Sequence, residues 1–285
     1  MQKDNDFDLL IGRYSFEVNE MCKKIFFGIS PLYKDNVPID NYNQIVLSSL
    51  FTQLYRTGEN ILLLTSNGNA FEADVLVRIL SEGTVKYIYM MQGELKERSS
   101  LIEEYYEIIP EMQKLSDHER AEEAMQIFRE FGYEKHPFQL SILSDADLDR
   151  LKSKYSKTAI SNMNKKWSFK KLLEELVSKD EKYYVLYTTL YSYSLSSHYI
   201  HYDGEALHMR AEALKEQVQR QDNSLEVAHI LRVVSNILAL MLLRVGEYVR
   251  QYKNSDEKVL SSIAEAMELQ VEIDDIIEKI IKEKY

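Results

Sequence analysis

Apolar side chains recur three or four positions apart from the start of the chain, at Phe7, Leu10, Ile11, Tyr14, Val18, Met21 and Ile25. That spacing gathers them on one face of an α-helix. The same period returns in segment after segment, and the residues that would break it are scarce, with 9 Gly and 4 Pro among 285 residues. Hairpins and tight turns consume glycine and proline, so the chain is read as all-α. Its 45% hydrophobic content supplies the apolar surface for a core.

The first helical pattern ends near Gly28 to Pro31, and the turn-rich stretch PLYKDNVPID follows. A second helix is expected over Asn41 to Thr65, closed by the tetrapeptide SNGN at Ser66 to Asn69, and a third over Ala70 to Met91. After Gly93 come two charged helices, Glu94 to Gln113 and Ser116 to Phe131, with sparser apolar positions. Gly132 and Pro137 interrupt the pattern, a short helix begins at Ser144 with Asp147 completing a capping box, and the polar stretch Ser156 to Lys166 reads as a mobile loop. Ser168 or Asp180 caps the helices that lead into a tyrosine-rich segment ending at Asp203 and Gly204. A charged helix over Glu205 to Gln221, a long apolar one over Ser224 to Tyr252 and an acidic amphipathic one from Ser255 complete the chain. With no internal repeat or long linker, the simplest organisation is one domain over 1–285 with a peripheral helical insertion at 94–165.

The net charge of -11 opposes long-range attraction to nucleic acid or anionic lipid. RNA contact therefore requires a local basic cleft, for which Lys165, Lys166, Lys170 and Lys171 around Trp167 are one candidate and a solvated helix end the plainer reading. A single cysteine, Cys22, forms no internal disulfide and suits a reducing cytoplasm. The N-terminus lacks the basic and apolar regions of a secretory signal, and the most apolar run, Val233 to Leu243, is eleven residues against the about 20 that span a bilayer. No membrane association is expected.

The segment YYVLYTTLYSYSLSSHYIHYD, Tyr183 to Asp203, concentrates hydroxyls and two imidazoles beyond what a plain core helix needs. At helical spacing Ser197 and His201 share one face while Ser194, His198 and Tyr202 occupy the next. His201 is a candidate general acid or base, with Ser197 or Asp203 fixing its tautomer; the plain alternative is a core histidine bonded to a neighbouring helix. A serine hydrolase built from Ser197, His201 and Asp203 is disfavoured, because one helix cannot align all three and no GxSxG elbow is present. His198 and His201 alone make a poor metal site, and phosphate-binding glycine loops are missing, so neither metal nor cofactor is expected. On the third helix Arg78 and Glu82 stand one turn apart in an apolar run, as a buried pair or as an ordinary surface salt bridge.

The stretch VLVRILSEGTVKYIYMM with Arg78 and Glu82, then WSFKKLLEEL and LYTTLYSYSLSSHYIHYDG, resembles the bacterial family of unknown function numbered 5677 over roughly residues 45 to 250. The resemblance implies a site of Arg78, Glu82, Ser197 and His201. The helical layout is in turn similar to the HEPN class, many of whose members cut RNA or serve as toxins in defence systems. This implies a multi-helix bundle with a HEPN-like core and a candidate metal-independent endoribonuclease, in which arginine stabilises phosphorane charge and histidine moves the proton. HEPN ribonucleases use an arginine and a histidine separated by four to six residues, which places both at a dimer cleft; the formal match here, Arg129 and His136, is interrupted by Gly132. A split site of Arg78 and His201 is the alternative. RNA, a protein partner such as an antitoxin, and a second copy of the chain are the candidate partners. The competing expectation is a non-catalytic interaction or scaffold module, in which the four residues form a structural network that fixes helix register.

Overall fold

The computed structural model describes residues 2–30, 41–133, 135–187, 203–220, 223–252 and 256–283. Every regular element among them is helical: α1 (Gln2–Ile29), α2 (Asn41–Ser66), α3 (Ala70–Met90), α4 (Leu95–Glu103), α5 (Ile109–Glu130), α6 (Asp145–Lys154), α7 (Lys157–Lys166), α8 (Phe169–Lys179), α9 (Gly204–Arg220), α10 (Ser224–Tyr252) and α11 (Glu257–Lys282), with a π turn at Glu104–Ile108 and 3₁₀ turns at Pro137–Ser141 and Glu181–Tyr187. The all-α reading therefore holds. The chain divides into two compact units, Met1–Met91 with Leu173–Tyr285, and Gln92–Leu172.

In the first unit α10 packs against α1, α2, α3 and α11. Contacted from several sides, it buries Val227, Leu231, Val234, Leu238, Met241, Val245 and Tyr248, where a surface helix would bury a single stripe. By length and composition α10 meets the requirement for crossing a bilayer, and 61% of its apolar window is buried inside the protein. The four helices form an arc around it. Antiparallel contacts join α1 to α2 through Phe26 and Tyr55, whose rings stack at 4.2 Å, and through Ser15 and Thr65, whose hydroxyls lie 3.2 Å apart. Lys24 bonds Glu265 at 2.5 Å and Tyr14 donates to Glu272, again antiparallel, joining α1 to α11. The SNGN turn works because Gly68 adopts φ 74°, a left-handed conformation that side chains disfavour. It sends α3 back along α2 so closely that a Cβ on Gly83 would lie 2.4 Å from Leu54.

Cys22 and Arg244 are both buried in this core. Burial pushes the Cys22 thiol up to about 12, with the Arg244 charge partly opposing, so it is an inert core residue. Arg244 donates from Nη1 to Thr84 Oγ1 at 2.5 Å and lies over the Phe51 ring.

The second unit has its own small core of Met112, Leu115, Leu151 and Tyr155, with Ile160 and Met163 packed against it. Those last two residues correct the loop expected over Ser156 to Lys166. The segment is α7, N-capped where Ser156 Oγ accepts from the Ala159 amide at 3.1 Å, and Ile160 with Met163 gives the three-residue spacing that holds one face on the core. The two charged helices are also redistributed: a π turn precedes Pro110, where a regular helix would clash with the proline ring, and α5 then runs unbroken to Glu130. Ser144 caps α6, its Oγ accepting from the Asp147 amide at 3.2 Å and donating to Asp147 Oδ2 at 2.7 Å.

Glu111 ties α5 to α6, accepting from Lys154 at 2.6 Å, from Arg150 at 2.9 Å and from the Tyr155 hydroxyl. Lys154, then Tyr155 and Arg150, hold its carboxyl at about 2, against an ordinary 4.5. A carboxylate depressed on folding stabilises above its ordinary pKa, and that contribution is lost as pH falls through the folded value. Glu111→Gln is expected to cost about 1–3 kcal/mol and to remove an acid transition of the second unit between pH 4.5 and about 2, read by amide hydrogen exchange of residues 143–155.

Candidate functional site

Asp74 and Arg78 stand one turn apart on α3, and Glu82 and Lys86 continue the same stripe. Glu82 is bonded to Lys86 at 2.8 Å, not to Arg78 as the i,i+4 spacing had suggested. A glutamate N-terminal to a lysine at this spacing is also the better oriented pair. Arg78 is half-buried.

The contact that sequence reasoning missed joins α3 to α10. Asp74 Oδ2 lies 2.9 Å from His229 Nε2; the Asp74 side chain is 7% exposed and that of His229 37%. An ionised carboxylate only accepts hydrogen bonds, so this contact puts the hydrogen on Nε2 and leaves the lone pair on Nδ1. A buried acid thus orients a partly open imidazole, an arrangement suited to proton transfer. Glu226 stands one turn before His229, and burial pushes its carboxyl above the ordinary value while His229 partly opposes. Together with the Thr84 to Arg244 bond, the Asp74 contact shows that α3 and α10 run in the same sense.

Two further anchors in this unit bracket the tyrosine-rich segment. Glu247 on α10 is buried and lies 2.7 Å from Lys182 and 2.6 Å from Arg250. Burial alone would raise its carboxyl, but bonds from Arg250, Lys182 and Tyr183 outweigh this and hold it below its ordinary value. These contacts fix the Glu181–Tyr187 turn on α10. On the far side Asp203 caps α9 by accepting from the Ala206 amide at 3.0 Å. Arg210 of α9 bonds Glu72 at the start of α3 at 2.5 Å and lies over the Phe71 ring. Ser197 and His201, like Ser194, His198 and Tyr202, lie outside the described residues, as does any meeting between them and Arg78.

The other sequence candidates lie in the second unit. Trp167 Nε1 and Lys166 Nζ both donate to Glu104, at 3.1 and 2.5 Å, so a carboxylate neutralises part of that basic cluster. Arg129 lies in the last turn of α5 and His136 follows the positive-φ Gly132; His136 stacks on Phe128 at 4.3 Å. The two therefore do not share a helix face. Among the described residues no group of three His, Cys, Asp or Glu side chains is placed to hold a metal ion.

The fold and this geometry define an all-α protein with a carboxylate–imidazole pair between two parallel helices, beside an arginine. The chain belongs to the family of unknown function DUF5677, which matches residues 44–218. That match takes in Asp74, Arg78, Glu82, Ser197 and His201 and stops short of His229. No curated protein and no solved structure gives a significant match.

Proposed function

We propose that this protein is a HEPN-like, metal-independent ribonuclease of the kind that serves in bacterial defence or as a toxin. The observation that supports this reading is the Asp74–His229 pair with Arg78 one turn along the same helix. In the proposed reaction His229 Nδ1 takes the proton of an RNA 2′-hydroxyl as its oxygen attacks the adjacent phosphorus. The bond to the 5′-oxygen breaks, and His201 supplies the proton to that leaving oxygen. Arg78 stabilises the charge of the phosphorane. Glu82 and Lys86 continue the polar stripe, and Ser197 shares the helical face of His201. A 2′,3′-cyclic phosphate and a 5′-hydroxyl result, with no further reactant.

The test is to incubate the full-length wild type and the His229→Ala, His201→Ala and Arg78→Ala variants with structured and single-stranded RNA, with and without chelator. Wild-type cleavage is expected to survive chelation, and each variant to lose about 10²- to 10⁴-fold in rate. Equal rates in wild type and His229→Ala would remove that histidine from the chemistry. The burial of Asp74 favours a second reading, a non-catalytic module in which the pair only fixes α3 against α10. It forecasts a lower melting temperature in the same variants and no RNA cleavage by any of them.

A further inference from the structure

The second unit exposes a surface that its own core does not use. At the end of α5 and in the 3₁₀ turn after it, Ile127, Phe131, Tyr133 and Phe138 are exposed, and Leu140 is 92% exposed. Isolated exposed apolar residues are ordinary, but a group within fourteen positions is not. The group is ordered: Phe128 stacks on His136 and packs edge-on to Tyr133 and tilted to Phe138, with ring centroids 4.3 to 6.2 Å apart. Beside it a groove of about 610 Å³ is lined by Glu119, Glu122, Glu123, Met125, Gln126, Arg129 and Ile142. Three carboxylates there face one guanidinium. His118, buried on the same helix, accepts from the Leu143 amide through Nδ1 at 3.1 Å and meets Glu122 through Nε2 at 3.3 Å, which holds that carboxylate in place.

We propose that this face docks a basic amphipathic helix of a partner protein. Its lysines or arginines would lie against Glu119 and Glu123, and its apolar stripe would cover Ile127 and Phe131, which continue the same i,i+4 row of α5, and reach Phe138 and Leu140 in the turn that follows. Charge decides the class of occupant, because the carboxylates repel RNA and anionic lipid while they attract a cationic peptide. Dimensions agree: Glu119 to Phe131 spans about 18 Å of helix, the length of three to four turns of a partner. The proposal is independent of the ribonuclease reading, since every residue it uses lies in the second unit.

The probe is a fluorescein-labelled synthetic 18-residue helix with leucines at i, i+3, i+4 and i+7 and lysines on both flanks, offered to the full-length protein. A control peptide carries glutamate in place of each lysine. The lysine peptide is expected to bind at least tenfold tighter than the control, to weaken with salt, and to slow amide exchange within residues 119–142. Two folded double variants, Glu119→Lys with Glu123→Lys, and Phe131→Ser with Leu140→Ser, are each expected to weaken binding at least tenfold with melting temperatures near wild type. Protection elsewhere, or affinity indifferent to both variants, would overturn the proposal. So would single-stranded RNA protecting these residues, or a dimer in sedimentation that Phe131→Ser with Leu140→Ser dissolves, which would give the face to a second copy of the chain.

Discussion

Replacing Glu247 with alanine is expected to lower the stability of the first unit by about 2–4 kcal/mol, a fall of roughly 5–15 °C in melting temperature for a chain of this size. Glu247 is 3% exposed and accepts from both Lys182 and Arg250. Losing one member of a buried ion pair is costly because the remaining charge stays in a poor environment. Here both cations are part-exposed and can turn toward water, which sets the expected loss below that of a fully enclosed pair. Glu247→Gln keeps the volume and one acceptor and is expected to cost about half as much. Cutting the exposed Lys282–Glu278 pair with Lys282→Ala should change stability by less than about 0.5 kcal/mol. The sign with pH follows from the depressed carboxyl: its contribution is complete above the ordinary value of 4.5 and disappears as pH falls through the lower folded value. Wild type and Glu247→Ala should therefore converge in strong acid. Melting followed by circular dichroism reads the size, and amide exchange at 181–187 reads whether the turn leaves α10. An unchanged melting temperature would mean that this carboxylate does not hold the turn.

The helices were legible because their information is local. Apolar spacing, the SNGN turn, the Ser144 cap and the Asp256 cap of α11, whose side chain accepts from the Lys258 amide at 2.9 Å, each act within a few residues. The α7 error has the same origin in reverse: polar composition outweighed Ile160 and Met163, whose role becomes visible only when Leu151 and Tyr155 are packed beneath them. The candidate site was harder to read. Asp74 in EADVLVRIL is a carboxylate inside an apolar run, a signal of the same kind that drew attention to Arg78 and Glu82. His229 sits in the long apolar helix α10, where an imidazole invites the reading of a core residue. Their contact spans 155 positions of sequence, and no local spacing encodes it. Glu82 was legible as one end of an i,i+4 pair, but the rule fits Lys86 as well as Arg78, and orientation favours Lys86.

Asp74→Asn separates chemistry from scaffolding more sharply than deletion of the histidine. The amide is nearly isosteric, so the contact between α3 and α10 at 2.9 Å can persist and the stability should change by about 1 kcal/mol or less. What changes is the proton. An asparagine amide turned to donate to Nε2 would force the hydrogen onto Nδ1, the atom proposed to accept the 2′-hydroxyl proton, and the imidazole would present the wrong face. RNA cleavage at neutral pH is then expected to fall by about 10²- to 10⁴-fold. Substrate binding should be nearly unchanged, because Arg78 and Lys86 still carry the positive charge. A non-catalytic network predicts the opposite pattern. In that case Asp74→Asn is almost silent, Asp74→Ala lowers the melting temperature, and neither alters RNA. Retention of full cleavage by Asp74→Asn, in a protein whose His229→Ala variant is inactive, would show that the imidazole works without its carboxylate and would confine Asp74 to holding the two helices together.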